Sequence, residues 1–272
     1  MKYKDFSVLM SVYKNDKPTE LVESLDSLFK NTVLPKQIVL VEDGELTGSL
    51  RDVLQMFDKK YPEVFEFIKL KKNRGLGGAL SVGQEYVKYD YVARVDSDDI
   101  IMKNRFEKQL EVLTTNENVG LVGAQMSEFD ETGLKKKRIV PTNHCEIKKR
   151  SKLRSPMNHT TVMFRTKALR EAGGYRHFPL FEDYDLWLRM LDTQWKVENI
   201  NSVLVSARVS EAMYSRRGGA AYLKKYIKFR YDALMCKRIN AFHFLGALGI
   251  YATSMLMPSA ARKFIYSTML RK

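Results

Sequence analysis

The sequence predicts an α/β protein in which a mainly parallel sheet is flanked by helices. Apolar runs and helical patterns alternate three times within the first hundred residues, and this alternation is typical of a doubly wound parallel sheet. Residues 38–41 are apolar at every position, as a strand covered on both faces would be. The chain has 272 residues, 44% of them hydrophobic, so it is long enough and apolar enough to bury a globular core.

The first half of the chain is expected to form four strands with helices between them. Residues 6–13 are the first apolar run, and the segment Asn15-Asp16-Lys17-Pro18 after it is a capping and first-turn signal for a helix. In that helix, the leucines at positions 21, 25 and 28 fall on one face. Later strands are expected at residues 38–41, 64–70 and 91–95, with helices at residues 50–57 and ending near residue 87.

The second half of the chain is less regular. A helix is expected around Phe106, Leu110 and Leu113, because these apolar residues recur at helical spacing. The remaining elements are expected as strands at residues 119–126, 160–164, 196–200 and 203–208 and as helices at residues 166–172 and 183–191. From Ala220 a basic, aromatic helix is predicted, followed by an apolar stretch at residues 241–257.

The chain is basic, with 46 Lys and Arg residues against 32 Asp and Glu residues. The excess is concentrated at residues 135–154 and 216–238, and it suits nucleic acid, an anionic membrane surface or a phosphorylated substrate. A solvated, soluble face is the alternative. The stretch at residues 241–257 is marginal for crossing a bilayer and favours the membrane interface, although a helical hairpin that closes the core would have the same pattern.

Two cysteines, Cys145 and Cys236, lie far apart in the sequence and form no CxxC motif. They support neither a disulfide framework nor a structural zinc site. The apolar run near the N-terminus is too short for a signal peptide or a membrane span. We therefore expect a cytoplasmic protein.

Three carboxylates are crowded into the turn after the 91–95 strand, at Asp96, Asp98 and Asp99. Because like charges repel one another, a cation or a nucleotide is expected to hold them together, and Mg²⁺ and Mn²⁺ favour such oxygen ligands. The alternative is that an aspartate caps the following helix. Tyr13 and Asp43 also follow strand ends, where ligands bind in parallel sheets, so these segments are expected to converge on one crevice.

Six segments together resemble the family-2 glycosyltransferases, which are inverting enzymes of the GT-A fold. The segments are Ser-Val-Tyr-Lys-Asn (11–15), Val-Glu-Asp-Gly (41–44), Asn-Arg-Gly-Leu-Gly (73–77), Arg-Val-Asp-Ser-Asp-Asp (94–99), Asn-His-Thr-Thr-Val-Met-Phe (158–164) and Phe-Glu-Asp-Tyr-Asp-Leu-Trp (181–187). The resemblance covers about residues 5–210 and looks strongest to bacterial enzymes that build exopolysaccharide and O-antigen repeat units on a lipid carrier. It implies a Rossmann-like nucleotide-diphospho-sugar transferase domain at residues 1–214, with a nucleotide-binding half at 1–99 and an acceptor-binding half at 100–214. A helical, membrane-associating extension would follow at residues 215–272.

The resemblance also implies roles for individual residues. In the donor site, Tyr13 would stack on uracil, Asp43 would accept from its imide, and Asp98 would hold the metal on the diphosphate. Asp96 would contact the ribose or the sugar and is the second candidate metal ligand. The other implied donor contacts are Asn73, Arg74, Gly75, Arg94 and Ser97. Glu42 departs from the aspartate that is commoner in the family, so no role is assigned to it.

On the acceptor side, Asp183 matches the family's catalytic base. Glu182, His159 and Trp187 are the implied acceptor contacts. Separately from the resemblance, Arg216 and Arg217 are expected either to fold over the donor diphosphate as a lid or to form a solvated basic turn. Simpler interpretations exist for several of these residues: a core aromatic for Tyr13, a turn former for Asp43, a surface charge for Arg74, helix-terminal acids for Asp183 and Asp185, and a structural histidine for His159.

The implied function is metal-dependent transfer of a hexose from a nucleotide sugar, UDP-galactose or UDP-glucose, to a lipid-linked saccharide, with formation of a β-glycosidic bond. The cofactor would be Mn²⁺ or Mg²⁺, and the protein would lie peripherally on the cytoplasmic face of the inner membrane. Two other classes are open, a nucleic-acid binder and a nucleotide-sugar-binding protein without catalysis. The acidic crevice argues against the first, and Asp183 argues against the second.

Overall fold

The first half of the protein alternates strands and helices. A computed structural model of the chain describes residues 4–130, 133, 135–209 and 219–256. The elements are β1 (Ser7–Val12), α1 (Pro18–Phe29), β2 (Gln37–Glu42), α2 (Gly48–Lys60), β3 (Phe65–Lys69), α3 (Gly75–Gly83) and β4 (Tyr91–Val95). Neighbouring strands pair in parallel in the order β3-β2-β1-β4. The parallel, doubly wound arrangement predicted from the sequence is therefore confirmed in this half.

The second half continues the same sheet with mixed strand directions. Its elements are β5 (Ile100–Ile101), α4 (Arg105–Thr115), β6 (Val119–Phe129), β7 (Lys135–Arg138), α5 (His144–Ser151), β8 (Met163–Arg165), α6 (Thr166–Glu171), α7 (Glu182–Met190) and β9 (Lys196–Arg208). The short strand β8 pairs antiparallel with β4 and with β6, and β9 runs parallel to β6 and antiparallel to β5. Within the described residues the order is β3-β2-β1-β4-β8-β6-β9-β5, with β7 added antiparallel on β6.

Several details of the second half differ from the sequence-based expectation. The strands expected at residues 196–200 and 203–208 are one strand, β9, with a bulge between them: Ala124 pairs with Ile200 and Gln125 with Val203. The strand expected at residues 160–164 begins only at Met163, because His159–Thr161 form a 3₁₀ turn. Neither β7 nor α5 was predicted, since the sequences Lys-Lys-Lys-Arg and His-Cys-Glu-Ile-Lys-Lys-Arg-Ser have little apolar periodicity.

Alternate residues of the central strands pack into two hydrophobic clusters, one on each face of the sheet. On β1, Val8 belongs to the cluster beneath α1, α2 and α4, whereas Leu9 belongs to the cluster beneath α3, α6 and α7. Both side chains are at most 1% exposed. The predicted apolar stripe of α1 is buried as expected, since Leu21, Leu25 and Leu28 are all 0% exposed.

A buried polar network on α4 supports the end of β4. The ladder between β4 and β8 ends at Ala93, so the carbonyls beyond it need other partners. The Arg105 guanidinium, on a side chain that is 0% exposed, donates to the carbonyls of Arg94 at 2.7 Å and Val162 at 3.3 Å. Gln109 donates to the carbonyl of Thr161 at 2.7 Å. The strand that carries the acidic turn therefore rests on side chains of α4.

The C-terminal segment forms a helical hairpin of α8 (Ala220–Met235) and α9 (Ala241–Leu256). On α8, Phe229 stacks on Phe181 with ring centroids 5.1 Å apart and contacts Tyr184 at 4.9 Å. Arg230 is 0% exposed and donates to the Tyr184 hydroxyl at 3.1 Å and to the carbonyl of Lys152. The hairpin thus packs on α7. Among the described helices, none has the length and apolar character required to cross a bilayer.

Candidate active site

A cavity of about 530 Å³ opens at the carboxyl ends of β1, β2 and β4 and extends to the start of α7. It brings together most of the predicted site residues: Tyr13, Asp43, Asn73, Gly75, Arg94, Asp96, Ser97, Asp98, His159, Glu182 and Asp183 all line it. Arg74 and Trp187 do not line it. Arg216 and Arg217, predicted to form a lid, lie outside the described residues.

Asp43 is positioned at one end of the cavity by the loop before α3. Its Oδ1 accepts from the backbone N–H of Arg74 at 2.6 Å, and its carbonyl accepts from the Asn73 amide at 3.2 Å. The two loops approach so closely that a Cβ at Gly44, whose φ is +88°, would lie 2.8 Å from the Asn73 nitrogen. This arrangement orients the carboxylate and leaves Oδ2 without a hydrogen bond among the described contacts, so Oδ2 can accept from a ligand.

Arg74 takes part in this loop through its backbone. Its side chain is exposed, and its Cβ lies where a Cβ at Gly78 would come within 2.7 Å. The alternative of a surface charge therefore describes the guanidinium, and the implied contact of Arg74 with the donor stays a prediction.

The three acids of the turn after β4 have different partners. Both oxygens of Asp96 accept from the guanidinium of Arg94, which is 2% exposed. Asp99 is 3% exposed and accepts from the Thr160 hydroxyl and from the backbone N–H of Arg208 at 3.0 Å. No described hydrogen bond engages the carboxylate of Asp98. Of the three acids, Asp98 is therefore the one that has both oxygens available to a ligand.

The alternative that an acid of this turn caps the next helix is wrong for Asp99. Helix α4 begins at Arg105, its N-cap residue is Asn104, and no side chain makes the capping bond. Asp99 instead ties the turn to the 3₁₀ turn at His159–Thr161 and to the end of β9.

Burial and like charges act together on the turn. Burial, followed by the charges of Asp96 and Asp99, raises the pKa of Asp98 to about 8. Burial and Asp96 raise the pKa of Asp99 to about 7. Carboxylate oxygens of Asp96, Asp98 and Asp99 lie within 4.8 Å of one another, as ligands of one ion would. An all-oxygen donor set of this kind fits Mg²⁺ or Mn²⁺, whose charge would offset the repulsion.

Asp16 is a site residue that the sequence analysis missed. It lines the cavity, and its Oδ2 accepts from the backbone N–H of Tyr13 at 3.1 Å and from the Ser97 hydroxyl at 2.8 Å. Burial raises its pKa to about 6. Asp16 therefore connects the turn after β1 with the acidic turn after β4. Glu128 and Arg138, from β6 and β7, also line the cavity and were not predicted.

Glu182 and Asp183 enter the cavity from the first turn of α7. The chain reaches this helix through Leu180, which has a left-handed φ of +78°. Helix α3 lies close beside it: a Cβ at Gly77 would be 2.7 Å from the Glu182 Cβ and 2.8 Å from the Arg176 carbonyl. Because Gly77 has no side chain, α3 and α7 can approach closely. Glu182 and Asp183 therefore lie next to the loop that holds Asp43.

Burial and the neighbouring Asp183 raise the pKa of Glu182 to about 7 from its ordinary value of 4.5. A raised pKa in the folded state contributes stability below pH 4.5 that is lost as the pH rises through 7. We expect Glu182→Gln to stabilise the protein by about 2 kcal/mol at pH 8 and to leave it unchanged or weaker at pH 4.5. Urea unfolding at both pH values measures this, with the exposed Glu85→Gln as control. Equal effects of the two variants on stability at pH 8 would contradict the raised pKa of Glu182.

His159 lines the cavity wall and is supported from behind by aromatic rings. Its Nε2 lies 2.9 Å from the Tyr175 hydroxyl, and its ring centroid is 5.8 Å from that of Trp187. Burial and the charge of Arg94 hold the pKa of His159 well below its ordinary value, so the ring is neutral at pH 7. His159 can therefore exchange hydrogen bonds with a sugar hydroxyl without carrying charge.

Trp187 has no surface that could contact an acceptor. Its side chain is 1% exposed, and its ring stacks on Phe164 with centroids 6.0 Å apart. The predicted direct contact between Trp187 and an acceptor therefore has no support in this structure. Trp187 packs behind His159.

The fold and the site define a class of protein. The four parallel strands of the first half, the acidic turn after β4, the carboxylate of Asp43 after β2 and the acids of α7 across the cavity are arranged as the resemblance to GT-A glycosyltransferases implies. A solved structure of S. aureus TarS 1–349 in complex with UDP-GlcNAc shares this fold, with a TM-score of 0.65 and 18% sequence identity over 98% of this chain and 71% of that one.

Sequence comparison then identifies the family. The model of glycosyl transferase family 2 matches residues 7–174. The chain is 37% identical over 271 residues to the UDP-Gal:alpha-D-GlcNAc-diphosphoundecaprenol beta-1,3-galactosyltransferase of Escherichia coli, with 98% of this chain and 97% of that protein covered. It is 35% identical over 261 residues to the amylovoran biosynthesis glycosyltransferase AmsE of Erwinia amylovora, with 96% and 97% covered. The chain belongs to glycosyl transferase family 2.

Proposed function

We propose that this glycosyltransferase moves a hexose from UDP-galactose or UDP-glucose to a hydroxyl of a saccharide carried on a polyprenyl diphosphate, in the assembly of a cell-surface polysaccharide. The observation that carries the proposal is the cavity itself. It joins Tyr13 and Asp43, which we assign to the base, with the acid Asp98 and the acids of α7. The names of the two relatives supply the donor, the lipid carrier and the polysaccharide context.

The nucleotide is assigned to the β1–β2 side of the cavity. Tyr13 is half-buried at the end of β1 and offers a ring for stacking. Oδ2 of Asp43, which has no described hydrogen bond, can accept from the imide of uracil. Because a carboxylate only accepts hydrogen bonds, it favours a base that donates one, as uracil does from its imide N–H. Stacking and this bond together place the diphosphate toward the acidic turn.

The diphosphate of the donor is negatively charged, so it needs a cation to bind beside the acids of the turn. Asp98 would hold a divalent ion, with Asp96 as the second acid, and the ion would neutralise the negative charge that forms on the departing nucleoside diphosphate. Arg94 keeps the carboxylate of Asp96 in place through both of its oxygens. The Asp16–Ser97 hydrogen bond fixes the turn from the other side.

Proton transfer is assigned to α7. A sugar hydroxyl is a poor nucleophile at neutral pH, so a carboxylate must take its proton as the oxygen attacks the anomeric carbon. Asp183 is our candidate for this base. The new carbon–oxygen bond forms on the face opposite the breaking bond to the diphosphate, so an α-linked donor gives a β-linked product.

The acceptor is assigned to the β6–β7 side. Arg138 lines this wall of the cavity and belongs to the basic region at residues 135–154. A lipid diphosphate carries the opposite charge and suits such a wall. We place the enzyme peripherally on the cytoplasmic face of the inner membrane, where a lipid-linked acceptor would be reached.

Screening nucleotide sugars tests the proposal. We expect UDP-galactose or UDP-glucose to raise the unfolding temperature in the presence of Mn²⁺, and GDP-mannose to have no effect at the same concentration. With a GlcNAc-diphosphate-lipid acceptor, the stabilising donor should yield a β-linked disaccharide, which NMR identifies by its anomeric coupling. Failure of every UDP-sugar to stabilise the protein with either Mn²⁺ or Mg²⁺ would contradict the proposal.

A further inference from the structure

A second cavity of about 400 Å³ lies in the turn between α8 and α9, away from the acids of the active site. It is lined by Lys152, Leu234, Lys237, Arg238, Ile239, Asn240 and His243. Three of these residues carry a positive charge, and no acid lines the cavity. The assigned chemistry of the enzyme uses none of them.

The charge of this cavity is only partly neutralised. Arg238 donates to Asp192 at 2.6 Å, but no described ion pair involves Lys152 or Lys237. Burial lowers the pKa of His243, and the positive charges of Lys152 and Arg230 lower it further. The N-terminus of α9 is already capped, because the Asn240 side chain accepts from the backbone N–H of His243 at 2.9 Å. The side chains of the turn, rather than the helix end, therefore create the site for an anion.

Lys237 occupies a backbone conformation that usually belongs to glycine. Its φ is +57°, and its backbone N–H donates to the Leu234 carbonyl at 2.9 Å, in the hydrogen-bond pattern that ends a helix. A lysine at such a position costs stability relative to glycine. The strained conformation places a second ammonium group at the cavity.

Exposed apolar side chains flank the cavity on both sides of the turn. Met235 is 63% exposed, two residues before Lys237, and Phe242 is 79% exposed, two residues after Asn240. Leu245 follows on α9 and is 65% exposed. Large apolar side chains next to a basic cavity match the interface of an anionic bilayer, where apolar groups enter the acyl boundary and cations meet phosphates.

We propose that the α8–α9 turn is a membrane-docking site whose cavity binds the phosphate of an anionic phospholipid headgroup. Met235, Phe242 and Leu245 enter the bilayer, and the ammonium groups of Lys152 and Lys237 contact the phosphate. The inference deepens the peripheral membrane location of the proposed function, yet it needs no knowledge of the donor or acceptor.

Vesicle sedimentation with the full chain tests the site. We expect binding to vesicles of 70% phosphatidylcholine and 30% phosphatidylglycerol and much weaker binding to pure phosphatidylcholine. A Lys152→Ala/Lys237→Ala variant should bind the anionic vesicles roughly 25-fold more weakly, since each basic residue near the surface contributes about fivefold. Phe242→Ser should weaken binding roughly tenfold through lost apolar burial.

The matched control is Lys36→Ala/Lys59→Ala, which removes the same charge from exposed positions before β2 and on α2. Equal losses by the two double variants would overturn the proposal, because general electrostatic attraction would then suffice. So would equal binding of the wild type to both vesicle types. If inorganic phosphate stabilises the wild type but not the Lys152/Lys237 variant, and no vesicles bind, the cavity takes a soluble phosphate and the lipid is excluded.

Nucleotide-sugar binding without vesicles separates this inference from the proposed function. Lys152, Lys237 and Phe242 do not line the active-site cavity, so their variants should bind the donor as the wild type does. A failed donor screen with intact, lysine-dependent vesicle binding would remove the proposed donor and leave the docking site standing.

Discussion

Asp183→Asn is expected to bind the donor with unchanged affinity and to lower kcat by about 10³-fold, because the general base contributes 10²–10⁴-fold. The substitution keeps the shape of the side chain and removes its ability to accept a proton. Steady-state kinetics with a lipid-linked acceptor gives kcat, and calorimetry with the donor gives its affinity. Because we assign the donor and its metal to the other acids of the cavity, the loss should appear in turnover alone.

The neighbouring Glu182→Gln variant is the matched control for this experiment. Both acids lie in the first turn of α7 and line the same cavity, so a general loss of negative charge would affect both variants alike. Near-normal turnover of Asp183→Asn together with loss in Glu182→Gln would transfer the role of base to Glu182. An unfolding temperature no lower than that of the wild type is required of each variant before its kinetics are interpreted.

Asp98→Ala is expected to abolish the Mn²⁺-dependent part of donor binding and to lower kcat/KM by at least about 10³-fold. Asp96 and Asp99 are held in place by Arg94, Thr160 and the backbone of Arg208, so neither can move into the position of the missing carboxylate without giving up a hydrogen bond. Calorimetry of donor binding with and without Mn²⁺ measures the effect directly.

Asp90→Asn is the control for Asp98→Ala, since Asp90 is exposed and lies before the opposite end of β4. This control should bind the donor with the same metal dependence as the wild type. If Asp98→Ala retains a donor affinity that still rises with Mn²⁺, the ion is held elsewhere and the assignment of Asp98 is wrong.

The nucleotide-binding half was predictable from sequence because its signals are local. An apolar run such as residues 38–41 predicts a buried strand by itself, and parallel strands deliver the residues that follow them to one edge of the sheet. Asp43 and Asp98 could be placed together for this reason. The complete burial of residues 38–41 confirms this prediction for the fold. The roles of Asp43 and Asp98 stay predictions.

The residues that were missed or misplaced depend on contacts between distant segments. Asp16 was interpreted as part of a helix-start signal, and only the fold brings it to Ser97. Trp187 belongs to a segment that resembles the family, yet the rotation of α7 turns its ring into the core. Position 77 must be glycine because Glu182 packs directly against it. No pattern within the sequence of α3 reveals this contact.

The buried cation of α8 has a consequence for how such enzymes can be recombined. Arg230 reaches both Tyr184, one position after the proposed base, and the carbonyl of Lys152, beside the basic turn. A hairpin could be transplanted from a relative, for example to redirect an enzyme to a different lipid surface. Unless α7 were exchanged with it, the Arg230 guanidinium or the groups that accept its hydrogen bonds would lose their partners. The hairpin and α7 should therefore be exchanged together, because Arg230 couples them through Tyr184.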